Sequence, residues 1–420
     1  MNTMFQSLVN AWKLPDLRKR LVFTALIIAV YRLGCFIPVP GIDLAALQNL
    51  TTGGGAFAFM DLFVGGALER VAVFALGIMP YITASIIFSL LTVIIPSLAA
   101  LAKEGEAGQK KINQYTRYFA ALLALIQSVF FVFLFQSEGA FTAENPLTPL
   151  SFYLIVMTLT VGTVLIMWLG ELLTQRGIGN GMSLLIFVSI VSRLPGGLYK
   201  MFTTMSPLVW VLMGAIALGV IAAIVVIQEG QRRVPIQYAK RVVGRRVYGG
   251  QSTYLPLRIN MAGVIPVIFA SSVLILPVTL AQMTPWAWAK SLAAAIGPAT
   301  WWYLLLEIAL IIFFTYFYTA VQFNPLDQAD NLKKYGGFIP GIRPGVPTAQ
   351  YLDRVLTRIT LPGALFLAAI AALPQVLIQG LSVPFYFGGT SILIVVGVAL
   401  DTMKQMEAQL LMRHYEGFLK

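Results

Sequence analysis

Bond-making chemistry has almost nothing to work with in this chain. The one cysteine, Cys35, rules out an intrachain disulfide and any cysteine-based metal site. The one histidine, His414, lies in a polar stretch near the C-terminus. A haem, a zinc centre or a histidine proton relay therefore lacks a ligand set, and no nucleophile–base pair or paired carboxylates point to an enzyme. No cofactor and no metal are expected. The residues left to act are cations in loops and a few polar groups inside apolar runs.

The cations cluster in two long loops. The first, about residues 229–256, carries Arg232, Arg233, Lys240, Arg241, Arg245 and Arg246 interleaved with Tyr238 and Tyr248. Such a pattern suits a polyanion or an acidic protein surface, and equally the lipid headgroups beside a membrane span. The second, about 323–353, closes on Gly336-Gly337-Phe338-Ile339-Pro340-Gly341-Ile342-Arg343-Pro344-Gly345, where Gly and Pro shape a turn around one arginine, Arg343. In the apolar runs, Thr83, Gln127 and Asn260 could hydrogen-bond between helices at about 0.6 kcal/mol each. Arg32 could snorkel outward, and Glu307 is expected at an interface.

The elements that position these groups are membrane spans. Hydrophobic residues make up 58% of the chain and charged ones 11%, with mean hydropathy +0.81, against about 25% charged in a soluble domain. Ten spans are read near 21–38, 71–95, 116–135, 151–170, 180–194, 208–228, 257–280, 302–322, 355–374 and 383–402. No cleavable leader is expected, because the first twenty or so residues are polar. Lys and Arg concentrate in alternate loops, so both termini are expected on the cytoplasmic side.

One phrase occurs twice, 186 positions apart. Gly77-Ile78-Met79-Pro80-Tyr81-Ile82-Thr83-Ala84-Ser85 aligns with Gly263-Val264-Ile265-Pro266-Val267-Ile268-Phe269-Ala270-Ser271. The same offset carries spans one to three onto spans six to eight. Five helices per copy is an odd number, so the halves, 1–200 and 201–420, would be inverted relative to one another. Each phrase reads as a helix interrupted by proline. Between spans one and two, Phe57-Ala58-Phe59-Met60-Asp61-Leu62-Phe63-Val64 is apolar but too short to span, and glycines flank it. It is expected to be a movable element within about 57–70.

Longer motifs include Ala75-Leu76-Gly77-Ile78-Met79-Pro80, Arg176-Gly177-Ile178-Gly179-Asn180-Gly181, Asn260-Met261-Ala262-Gly263-Val264-Ile265-Pro266 and Pro340-Gly341-Ile342-Arg343-Pro344-Gly345. With them the chain resembles the SecY family along essentially its whole length. The resemblance implies an all-α polytopic membrane protein, ten helices in two inverted halves around a central pore. It implies a pore ring of Ile78, Ile82, Ile186, Ile268 and Ile394, with Met182 close by. A plug would include Phe57, Phe59, Met60, Asp61, Leu62 and Phe63. Thr83, Gln127 and Asn260 would line a lateral gate, and the two basic loops would dock a ribosome or a SecA-like motor ATPase. SecE-like and SecG-like small subunits, preproteins and membrane lipids would be the other partners, in a bacterial plasma membrane.

The implied activity is passage of unfolded preproteins across the membrane and lateral release of transmembrane segments. The alternative is a secondary transporter, which shares inverted repeats but needs polar or ionisable groups at midplane. Isoleucines occupy those positions here.

Overall fold

The computed structural model describes residues 14–43, 61, 63–137, 139–141, 146–238, 241–243, 246–248, 252–283, 286–288, 291, 295, 297, 300–381 and 389–418. Ten long helices stand at the positions of the ten expected spans. They are α1 (Pro15–Gly34), α2 (Met79–Ile94), α4 (Glu106–Ser137), α5 (Pro149–Arg176), α6 (Gly181–Thr204), α7 (Pro207–Glu229), α8 (Ile265–Met283), α9 (Trp301–Gln322), α11 (Val346–Leu381) and α12 (Gly389–Phe418). Two shorter helices join them, α3 (Pro96–Lys103) and α10 (Pro325–Lys334). Among the described residues, α4, α5, α6, α7, α9 and α11 are long and apolar enough to cross a membrane. The pair α2–α3, bent by 99°, makes a seventh if it is one broken span. The cations in the first turns of α1 keep that helix out of the set.

Both copies of the repeated phrase start a helix instead of breaking one. The spans expected at 71–95 and 257–280 begin as helix only at Met79 and Ile265, the same distance late in each copy. Gly77 (φ 59°) and Gly263 (φ 63°) turn the chain through the left-handed region, which costs a side-chain-bearing residue about 1–2 kcal/mol. Pro80 and Pro266 then sit second in their helices, where a missing N–H leaves no bond unmade. Hydropathy misplaces the first start because residues 71–78 are apolar and mostly buried without being helical, and the second because the chain is still in β4 at Leu257 and Arg258.

The fifth span is also longer than expected. In place of 180–194, α6 runs from Gly181 to Thr204 through Pro195, and Asn180 caps it by accepting from the backbone N–H of Met182 and Ser183. Between α4 and α5, Arg117 pairs with Glu171, and Ser128 meets Thr160 at 2.8 Å. One apolar cluster runs through the interior from Ile27 on α1 to Val398 on α12.

The all-α expectation needs one amendment. A three-stranded antiparallel sheet, ordered β4 (Ser252–Arg258), β1 (Gln231–Tyr238), β5 (Gly337–Phe338), stands at one end of the bundle, and β2 (Arg241–Val243) pairs with β3 (Arg246–Tyr248) beside it. Val234 and Ile236 are buried on β1 while their neighbours are exposed, the period of a half-buried strand. Val234 packs in a second apolar cluster with Leu257, Ile339 and Leu352. Glu307, in the first third of α9, is 5% exposed and lies one turn from the buried Tyr303.

Candidate functional site

The five isoleucines come from four helices and one preceding turn. Ile78 ends the turn before α2, Ile82 and Ile268 lie in the first turns of α2 and α8, and Ile186 and Ile394 come from α6 and α12. All five are buried and belong to one apolar cluster, which also takes in Phe63 and Val64. Met182 packs against this cluster half-buried, its sulfur close to Gly170. Four helices from both halves of the sequence thus contribute aliphatic side chains to that extended cluster.

The segment from Asp61 to Glu69 is clamped against that cluster by polar contacts that the sequence reading missed. The Asp61 carboxylate, 3% exposed, accepts from the backbone N–H of Leu68 (3.0 Å) and Glu69 (3.1 Å) and pairs with Arg193 of α6. Arg193 also pairs with Glu69 at 2.9 Å. From α1, Arg32 donates to the carbonyl of Gly65 at 3.0 Å. Gly65 has φ 71°, and a Cβ there would press on Arg32 at 2.8 Å and on the Ser189 backbone at 3.0 Å. Ser189 itself meets Tyr31 at 2.6 Å, fastening α6 to α1 behind the segment. The expected snorkelling of Arg32 is thus turned inward, onto a backbone carbonyl. Of the expected movable element, Asp61 and Phe63 are described; Phe57, Phe59, Met60 and Leu62 lie outside the described residues. A buried aspartate facing an arginine 132 positions away has no signature in local sequence.

Thr83 on α2 and Gln127 on α4 sit on helices that pack together, and Asn260 lies in the turn leading into α8, which contacts both. Among the described residues, however, no hydrogen bond joins the three, so the expected interhelical bonds are absent. Thr83 donates to the Met79 carbonyl within its own helix at 3.1 Å, and Asn260 donates to the Gly263 carbonyl at 2.9 Å. A hydroxyl or amide near a helix start finds a local carbonyl more readily than a partner on another helix.

At the sheet end, the two basic loops become one surface. β5 pairs with β1 through Gln237↔Phe338 and Tyr238↔Gly337, which brings the Arg343 turn beside the strand carrying Arg232 and Arg233. Those three arginines are exposed. Arg241 and Arg246 lie on the β2–β3 hairpin, while Lys240 and Arg245 fall outside the described residues. Near the same end, a cavity of about 350 Å³ opens beside Gly263, reached by Asn180 of α6, Gln228 of α7, Tyr318 of α9 and Asp401 of α12.

Comparison with known proteins gives this geometry a context. The SecY family model matches residues 72–403. Proteins described as "Protein translocase subunit SecY" from Streptomyces scabiei and Mycobacterium tuberculosis are 49% and 46% identical over 441 and 444 residues, covering 99% of this chain and all of each relative. Among solved structures, one described as "The structure of a protein conducting channel" aligns with TM-score 0.63 at 19% identity, covering 93% of this chain and 92% of the other. Sec61 in a canine ribosome–channel complex aligns with TM-score 0.61 at 18% identity over 93% and 92% of the two chains. These structural likenesses establish a shared fold.

Proposed function

The chain belongs to the SecY family, and from that premise we propose that it forms a protein-conducting channel, passing unfolded preproteins across a bacterial plasma membrane and releasing transmembrane segments sideways into lipid. The observation that supports this reading is the burial of Ile78, Ile82, Ile186, Ile268 and Ile394, drawn from four helices and a preceding turn, in one continuous apolar cluster. An aliphatic ring seals by excluding water and yields to a polypeptide of any sequence. A secondary transporter would instead need polar or ionisable groups where the two halves meet, and the phrase contributes an isoleucine from each half.

In this reading the halves are 1–200 and 201–420, and the segment around Asp61 and Phe63 is the plug that covers the ring at rest. The α2 and α8 helices, with Thr83, Gln127 and Asn260 nearby, form the lateral gate. The arginine-bearing sheet faces the cytoplasm, as do both termini, and docks a ribosome or a SecA-like motor. SecE-like and SecG-like subunits complete the complex. The channel makes no bonds; energy comes from the motor, from translation or from the membrane potential.

Reconstitution tests the proposal. Vesicles holding the assembled complex should import an unfolded preprotein when the motor and ATP are supplied. Replacing Ile82 and Ile268 together by Gly should make the resting vesicles leak small solutes; vesicles that stay tight would remove the ring assignment. Arg343→Glu should abolish motor-driven import while the folded complex remains in the membrane, and undiminished import would refute the docking surface.

A further inference from the structure

The cavity beside Gly263, open near the sheet end, has a wall rich in carboxamides. Five carboxamides reach it, from Asn180, Gln228, Asn260, Gln322 and Gln405. Its charges are mixed, Arg258 and Lys404 against Asp401, and Lys404 is already held by Glu229 at 2.8 Å. Asn260 is 5% exposed, and its amide nitrogen is spent on the Gly263 carbonyl. Its Oδ1 is buried with no donor in reach.

That orphan acceptor selects among ligands. It needs an N–H or O–H, which phosphate diesters and carboxylates do not carry. A free cation would meet Asp401 but also Arg258 and Lys404. A carboxamide offers one carbonyl acceptor and two N–H donors, the same groups that a peptide bond displays, so a wall of carboxamides matches a main chain whatever its side chains. Gly263 adds room, because a Cβ placed on it would meet nothing within 4 Å.

We infer that this cavity is a subsite for the main chain of the unfolded polypeptide, with Asn260 Oδ1 accepting a backbone N–H from the passing chain and the surrounding glutamines exchanging further hydrogen bonds with it. The inference rests on the channel function proposed above and gives it a point of grip that does not depend on sequence. Contacts made to groups common to every residue can be remade one residue later, so the subsite holds a chain without selecting it.

The test uses the assembled complex in vesicles and two preproteins, each stalled by a folded C-terminal domain. In one, six consecutive amide bonds in the segment reaching the cavity are replaced by esters, which removes the N–H donors and keeps the shape. The readout is the rate at which the stalled chain slides back once ATP is withdrawn. The ester chain should leave about tenfold faster, the loss of one or two hydrogen bonds. In the channel carrying Gln322→Leu and Gln405→Leu, both chains should leave at similar, faster rates, and inorganic phosphate should change neither rate. Equal release of the two chains from the unaltered channel means that only water fills the cavity, and the subsite falls while the channel stands. Competition by phosphate would likewise overturn it. If neither chain enters at all, the channel function fails and takes the subsite with it.

Discussion

Gly77 and Gly263 hold the same left-handed backbone two residues ahead of a helix, yet a Cβ at Gly77 would meet Val64 at 2.9 Å and one at Gly263 would meet nothing within 4 Å. The duplicated sequence has produced one scaffold twice and furnished it differently each time. Beside the first copy, Asp61 and residues 63–69 fill the space and two arginines hold them down. Beside the second copy the space stays open and its walls are polar. The asymmetry lies in what occupies each site, with the helix starts themselves unchanged.

The comparison breaks most strongly at Asp61. Asp61→Asn leaves Arg193 facing the segment without its buried counter-charge. Such a loss costs 3–5 kcal/mol in a fully buried pair; with the Arg193 side chain still 30% exposed, about 2–3 kcal/mol is expected here. The covered state should lose that much, seen as increased solute leak from resting vesicles. An unchanged leak would show that the Asp61–Arg193 pair does not restrain the segment beyond what the Arg193–Glu69 pair already does.

Gly77→Ala and Gly263→Ala sharpen the comparison, since each incurs about 1–2 kcal/mol of backbone strain. Only the first also presses on Val64, so leak should rise more for Gly77→Ala than for Gly263→Ala. Equal leak would mean that the packing against Val64 is immaterial. The smallest effect is expected from Lys404→Met beside the open cavity. Its bridge to Glu229 is well exposed, and a shift in melting temperature too small to resolve should result, as for most surface pairs. A large drop would mean that this mouth, too, is held by charge.

Much of this architecture is written in local sequence. Apolar runs placed all ten helices, and the Gly–Pro phrase with its fixed offset announced the duplication. What escaped was whatever depends on contact across the chain. Val71 to Leu76 reads as the start of a span because hydropathy registers burial, which a packed turn and a helix share. Arg193 reads as an outer-loop charge until Asp61 is seen facing it. The burial of Glu307 is likewise invisible while α9 is considered alone. The sheet was more accessible: the alternation of Val234 and Ile236 with exposed neighbours is a strand signal, obscured by the density of arginines around it.

That sheet has a mechanical consequence. Only Gly230 separates the last turn of α7 from β1, and its carbonyl accepts from the Ile259 N–H at 2.9 Å just beyond β4. Six residues after β4, α8 begins, while β5 leads through the Arg343 turn into α11. Load applied at the exposed arginines therefore meets a stiff plate riveted to three helices, with little slack to absorb it. The path from the plate into α8 runs through residues 259–264, with Gly263 as its left-handed turn.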